Sequence, residues 1–132
     1  MPAKPIAPAQ GIAFAFPDVC KTPAPPAPPI PIPYPNIADL SQATKVATDL
    51  TVGGTPVLLE GSKVAVSTGD EAGSAGGVQS GTTKGECVIT KASTTVFYGG
   101  KGVARFLDPT DQNKGNAKGM VLAAFPTVLV GD

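Results

Sequence analysis

Proline dictates what the first quarter of this chain can become. Twelve of the fifteen prolines lie at or before Pro35, and Thr22 to Pro35 reads TPAPPAPPIPIPYP. Fixed φ angles and missing N–H groups exclude a helix from such a run and leave extended or polyproline II backbone. The expectation is a segment with no hydrogen-bonding ladder of its own, about 40 Å long at ~3.1 Å per residue, enough to cross the face of a small domain. A stiff tether and a docked strap both fit. Ile30, Ile32 and Tyr34, set between prolines, favour the strap, because a solvated linker has little use for large apolar side chains.

The second constraint is a glycine cluster. Gly69 to Gly81 holds five glycines and the adjacent carboxylates Asp70 and Glu71, between stretches that alternate like strands. Glycine permits positive φ and close backbone approach, so tight crossings are expected there rather than slack. Sixteen glycines and fifteen prolines in 132 residues make long helices improbable, while the 42% hydrophobic content argues against wholesale disorder. The composition is turn-rich and mainly β.

A chain of 132 residues fits one domain with one small core. Ten basic and ten acidic residues cancel, and neither half carries a basic stripe, so no nucleic-acid footprint is present and proteins are the expected partners. Pro2, Pro5, Pro8 and Pro17 break up the first twenty residues, which leaves no signal-peptide apolar core. Met120 to Val130, the most apolar stretch, is about half the ~20 residues of a membrane-spanning helix and is interrupted by Pro126. The absence of a signal peptide favours buried thiols over a bridge for Cys20 and Cys87.

The reading along the chain is a single domain, 1–132: a proline-rich strap at 1–36, a short connector at 37–48, a β core at 49–116 and a last strand or docking tail at 117–132. The connector alone tolerates a helical turn or two, capped by Asp39 or Ser41. Beyond it the apolar residues alternate: Leu50 and Val52, Val57 and Leu59, Val64 and Val66, then Cys87 and Ile89, Val96 and Tyr98, and Val103 to Leu107. Val52-Gly53-Gly54-Thr55-Pro56-Val57 and Tyr98-Gly99-Gly100-Lys101-Gly102-Val103 share an apolar residue, a Gly-Gly turn, two variable positions and a valine. They read equally well as two unrelated hairpins or as two copies of a repeat.

The search for catalysis ends in exclusions. Without histidine there is no Ser-His-Asp triad, no Cys-His pair and no histidine metal site. Asp70 and Glu71 are adjacent, so in an extended segment they point to opposite faces and suit a structural role better than joint acid–base work. Cys20 and Cys87 lack C-x-x-C spacing. Gly73-Ser74-Ala75-Gly76-Gly77 has neither the Gly-Lys-Ser/Thr ending of a phosphate loop nor a helix-forming sequence behind it.

Several separated motifs then carry a resemblance. Phe16-Pro17-Asp18-Val19-Cys20-Lys21-Thr22-Pro23, Ile32-Pro33-Tyr34-Pro35-Asn36-Ile37, Gly69-Asp70-Glu71-Ala72-Gly73 and Gly76-Gly77-Val78-Gln79-Ser80-Gly81 follow one another, and Lys101-Gly102-Val103-Ala104-Arg105 is followed by Asp108, Asn113 and Asn116. In this order they resemble the PAAR-like family of type VI secretion. The resemblance implies a small conical domain of β-hairpins that caps the trimeric spike protein, VgrG, of a contractile injection machine, one tip per trimer. It also implies residence in the cytoplasm and export through the apparatus, with effector or adaptor proteins as further partners. The chain reads as a stand-alone tip and not an enzyme. An effector-loading adaptor and an effector acting in its own right are the competing readings. Typical PAAR tips are implied to hold a metal near the apex through histidines and a cysteine, so zinc is disfavoured here and no cofactor is expected. Glycine turns, the strap and an approach of Cys20 to Cys87 are expected to staple the cone instead. For the spike-facing surface the candidates are Val52, Gly53, Gly54 and Val57 with Tyr98, Gly99, Gly100 and Val103. Cys20, Cys87, Asp70 and Glu71 are assigned structural roles.

Overall fold

The computed structural model describes residues 3–131. The chain opens with β1 (Lys4–Ile6) and two long strands, β2 (Ile12–Ala24) and β3 (Ala27–Asp39). After a single 3-10 turn at Leu40–Gln42 come β4 (Ala47–Val52), β5 (Thr55–Val57), β6 (Lys63–Val64) and β7 (Gly76–Gly77). The remainder is β8 (Cys87–Ile89), β9 (Phe97–Tyr98), β10 (Lys101–Gly102), β11 (Pro109–Gln112), β12 (Ala117–Val121) and β13 (Phe125–Val130). This is the mainly β domain expected from the composition. Among the described residues no helix is long and apolar enough to cross a membrane.

One sheet runs in the order β3-β2-β12-β11-β8-β6, with β7 also paired to β2. Three separate two-stranded ribbons, β1 with β13, β4 with β5 and β9 with β10, complete the fold. The main sheet corrects the expectation of a ladder-free strap. Residues 12–39 form an antiparallel hairpin in which Val19 faces Pro33, Cys20 faces Ile32 and Thr22 faces Ile30. Pro31, Pro33 and Pro35 occupy alternate positions of β3, which lies at the edge of the sheet. Ile30, Ile32, Tyr34 and Asn36 are left to pair with β2, while the prolines face open solvent, the one sheet environment that tolerates them. Ile32 and Tyr34 are half-buried as part of a hairpin, while Ile30 stays exposed.

The connector expected at 37–48 narrows to the stretch between β3 and β4. Ile37 to Asp39 finish β3, and Asp39 caps the 3-10 turn by accepting the Ser41 N–H at 3.0 Å and its hydroxyl at 2.6 Å. The C-terminal segment holds two strands rather than one: β12 in the main sheet and β13 against β1.

Two small clusters make the core. Ala7, Ala13, Ala38, Leu40, Leu58, Val64, Cys87, Ile89, Ala92, Ala104, Val121 and Ala123 form one, half of them alanines. Ile6, Ala47, Val52, Val57, Leu59, Val103 and Val130 form the other, with Leu50, Tyr98 and Phe125 packed on it. Cores of such short side chains bury little area per residue, so polar pairing carries more of the structure. Among the described residues every buried side-chain nitrogen and oxygen has a partner. The cysteine staple is corrected: both thiols are free and buried, Cys87 inside the first cluster and Cys20 among polar groups.

Candidate functional site

The two core clusters meet across a closed ring of backbone hydrogen bonds. The Ala7 N–H donates to the Ala104 carbonyl at 3.0 Å, the Ala104 N–H to Leu58 at 2.9 Å and the Leu58 N–H to Ala7 at 2.9 Å. The pattern repeats two residues outward, where Ala9 donates to Pro56, Glu60 to Gly102 and Phe106 to Pro5 at 2.7, 2.9 and 2.9 Å. Segments 5–9, 56–60 and 102–106 are therefore equivalent arms of a pseudo-threefold arrangement. Side chains alternate across an extended arm. Ile6, Val57 and Val103 enter one cluster, while Ala7, Leu58 and Ala104 enter the other.

Each arm is one strand of a ribbon. In the first ribbon Ala47 faces Val57, Thr51 faces Pro56 and Val52 faces Thr55, with an irregularity between Ala47 and Thr51. In the ribbon built from the two ends of the chain, Phe125 faces Ile6, Leu129 faces Pro5 and Val130 faces Lys4, with its irregularity at the same place. In the other, Tyr98 faces Lys101 and the Ser93 N–H donates to Val103. Gly53 and Gly54 at φ 56° and 80°, and Gly99 and Gly100 at φ 59° and 83°, turn the two continuous ribbons. Paired positive φ angles match the right-handed twist of the strands they join. The two Gly-Gly hairpins are thus copies of one unit, and a third copy is split between the chain ends. Neighbouring ribbons are tied by the Asp49 N–H and carboxylate to the Tyr98 hydroxyl, both at 3.2 Å, and by the Ser93 hydroxyl to the Gly131 carbonyl at 2.8 Å.

The sequence candidates divide. Gly53, Gly54, Gly99 and Gly100 are exposed at the turns and Tyr98 is half-buried, but Val57 and Val103 are wholly buried and Val52 nearly so. These valines hold the ribbons together and do not offer side chains to a partner. The outward positions are Thr51, Phe97 and Leu129, which occupy the same place in the three ribbons, opposite Pro56, Gly102 and Pro5. Phe97 and Leu129 are 59% and 61% exposed, the most exposed large hydrophobics among the described residues. Sequence reasoning missed Leu129 because its partner strand is distant in sequence, and passed over Phe97 because it followed the alternation of Val96 and Tyr98 to Val103.

The glycine cluster folds onto the β2–β3 hairpin. A Cβ at Gly69 would lie 2.4 Å from the Pro35 carbonyl oxygen, and one at Gly73 would lie 2.2 Å from the Cys20 Cβ. That approach brings Asp70 against Asp18 and Cys20, whose ligating atoms all lie within 4.8 Å of one another. Glu71 is exposed and accepts the Gly69 N–H at 2.8 Å, so the adjacent carboxylates do diverge. Asp70 accepts the Lys84 N–H at 3.1 Å. Its acidic partner is Asp18, distant in sequence. Asp18 receives the carboxamide groups of Asn36 at 3.1 Å, Asn113 at 3.1 Å and Asn116 at 2.6 Å, and the Cys20 thiol at 3.4 Å.

Burial pushes Asp18 up, but hydrogen bonds from Asp70, Asn116, Asn113 and Cys20 together outweigh it and hold the carboxyl below the usual range. Burial, then the hydrogen bond and charge of Asp18, push Asp70 up to about 7. With Asp70 raised and Asp18 lowered, a proton on the pair favours Asp70 over Asp18. Burial first, and the Asp18 carboxylate second, push the Cys20 thiol up to about 12, and burial pushes Cys87 to about 12 as well. Asp18, Asn36, Asn113 and Asn116 are the members of this cage to which the sequence assigned no structural role. Asp18 and Asn36 are signalled by a polar residue where strand alternation calls for an inward apolar one, whereas Asn113 and Asn116 lie in the turn between β11 and β12.

Residues 11–119 match the toxin PAAR-like domain family. The chain belongs to that family. No curated protein and no solved structure matches it. The PAAR-like domain thus places the chain among components associated with type VI secretion and toxins.

The metal implied for the wider PAAR group can be tested against this cage. Asp18, Cys20 and Asp70 offer three ligand atoms, but the surrounding amides point N–H groups at them, and these orientations are fixed. The Asn116 Oδ1 accepts the Gln79 and Ser80 N–H groups, and the Asn113 Oδ1 accepts the Gly85 N–H. Gln112 donates to the Ala13 and Asn36 carbonyls, so its Nε2 also donates to the Asn36 Oδ1 and turns that amide's N–H groups toward the acids. The amides therefore add no acceptor to the three that Asp18, Cys20 and Asp70 offer, and their N–H groups suit a buried carboxylate pair.

Proposed function

We propose that this domain caps the trimeric spike, VgrG, of a type VI secretion apparatus, one copy per trimer. The observation that carries the reading is the pseudo-threefold ring. One chain engages all three subunits of a threefold-symmetric end alike only if it presents three equivalent surfaces, and the three ribbons supply such surfaces. Thr51, Phe97 and Leu129 stand at matching outward positions, where two exposed apolar side chains suit a protein interface. The role is mechanical and calls for no active site: the domain is made in the cytoplasm, closes the blunt end of the spike and leaves the cell with it, carrying or recruiting effectors.

Mixing the purified domain with its spike trimer and measuring the mass of the complex tests the reading. One domain per three spike subunits is expected; no complex, or three domains per trimer, overturns it. In the Phe97→Ser, Leu129→Ser double variant the affinity should fall at least about tenfold, since two apolar anchors are lost, with the melting temperature unchanged.

A further inference from the structure

A second surface, away from the ribbons, is built for a partner. The outer face of the main sheet is apolar over three rows and four adjacent strands. Pro109, Met120, Phe14 and Ile37 form the middle row, each the direct register neighbour of the next. Phe16 and Pro35 extend it on one side, beside the Asp111–Lys118 ion pair, and Leu107, Leu122 and Ile12 extend it on the other, ending at Asp39. None of these side chains is buried, and Phe16, Leu107, Met120, Leu122 and Ile12 are each more than a third exposed. The opposite face of the same strands, with Ala13, Ala15, Ala38 and Val121, is already packed inside the molecule. A sheet face covered with apolar residues is ordinarily buried by another element, and the described residues supply none here.

Leu107 points the same way. It sits at φ 72°, a conformation uncommon for any residue but glycine, and in it the side chain remains 44% exposed. The chain holds a large apolar side chain outward at the border of this face, and no packing in the interior accounts for it.

We propose that this face binds one amphipathic helix of a partner protein. The patch measures about 20 Å along the strands by about 19 Å across them, or about 400 Å², from strand geometry. A stable association between two copies of the chain needs about 800 Å² from each, twice what the face offers. A helix of about 14 residues is about 20 Å long and about 10 to 12 Å across, so its apolar stripe matches the patch in length and covers just over half of its width. Strand addition is closed off at the near edge, because Pro31, Pro33 and Pro35 remove the N–H groups that an added strand would use. The rim supplies both signs of charge, Asp39 at one corner and the Lys118–Asp111 pair at the other, to meet the polar flanks of such a helix. The proposal is independent of the spike reading, which uses other residues.

The probe is a 14-residue helical peptide with leucines at i, i+3, i+4, i+7 and i+11 and mixed Lys and Glu elsewhere, titrated into the full chain by calorimetry. A scrambled peptide of the same composition, a Phe14→Ser, Met120→Ser variant and the Phe97→Ser, Leu129→Ser variant serve as comparisons. Expected are saturable one-to-one binding, at least about a tenfold loss with the scrambled peptide and with Phe14→Ser, Met120→Ser, and no change with the ribbon variant. Thermal melts of the unliganded variants confirm that they are folded. Equal binding of the scrambled peptide, or equal losses in both variants, overturns the proposal. So does a dimer of the chain in sedimentation that Met120→Ser abolishes, or preferential binding to vesicles of phosphatidylcholine and phosphatidylglycerol.

Discussion

Asp70 shows how little of a residue's surroundings its sequence neighbours reveal. Its structural role follows from the sequence, and its bond to a backbone N–H is present. What makes it unusual is burial, and after it the bond and charge of Asp18, which together raise its pKa to about 7 from an ordinary value of 3.8. A carboxyl whose folded pKa is raised binds its proton more tightly in the native state, so its contribution is complete below about 3.8 and is lost as pH rises through about 7. Asp18, held low, contributes in the opposite sense and loses its share only as pH falls below the ordinary range. The melting temperature should therefore decline between about pH 4 and pH 7. Asp70→Asn, which keeps a donor toward Asp18, should flatten that decline; Asp70→Ala should lower stability throughout. A decline as steep in Asp70→Asn as in the native chain would refute a proton held on Asp70. The thiols give a second prediction. With both held at about 12 and buried, neither Cys20 nor Cys87 should react with a thiol reagent at pH 8 until denaturant is added.

At the scale of elements, the glycines separate into those that turn a strand and those that let two segments touch. Gly54 has φ 80° with nothing near a would-be Cβ, so Gly54→Ala should cost about 1 kcal/mol through backbone strain alone. Gly102 has no such φ, but a Cβ there would lie 2.1 Å from the Ser93 carbonyl oxygen in the backbone. Gly102→Ala should cost about 2 to 3 kcal/mol, because ribbon and ring must part to admit the methyl group. Chemical denaturation of the two variants checks the order, and a larger loss in Gly54→Ala would contradict it. The Gly-Gly hairpins were legible because both the turn and the flanking alternation are local. The β2–β3 ladder was hidden because a proline run excludes a helix yet says nothing about whether its free side faces solvent or a neighbour.

The whole molecule is closed by its own ends: β1 and β13 make the third ribbon, and segment 5–9 completes the ring. Covalent continuity at that corner is therefore dispensable in a way that the ring is not. A circular permutant that joins Val130 to Lys4 through a Gly-Gly turn, with new ends opened between Gly53 and Gly54, should fold and melt within a few degrees of the native chain. One opened between Leu58 and Leu59, inside the ring, should not fold. Circular dichroism and melting curves distinguish the two, and equal stability would show that the ring is not the organising feature.

The sequence by itself determined the class of backbone: mainly β, short strands beyond residue 49, glycine turns at two similar places, a turn capped by Asp39 or Ser41, and a chain without histidine chemistry. Those properties follow from φ restriction, side-chain periodicity and composition, which act over a few residues. Only the tertiary structure decided that the two hairpins are joined by a third made from the chain ends, and that Asp70 meets Asp18 inside a cage of amides. It alone placed Phe97 and Leu129 in equivalent outward positions while burying Val57 and Val103. Each of these outcomes depends on segments distant in sequence closing on one another, and residue spacing along the chain carries no record of which segments will meet.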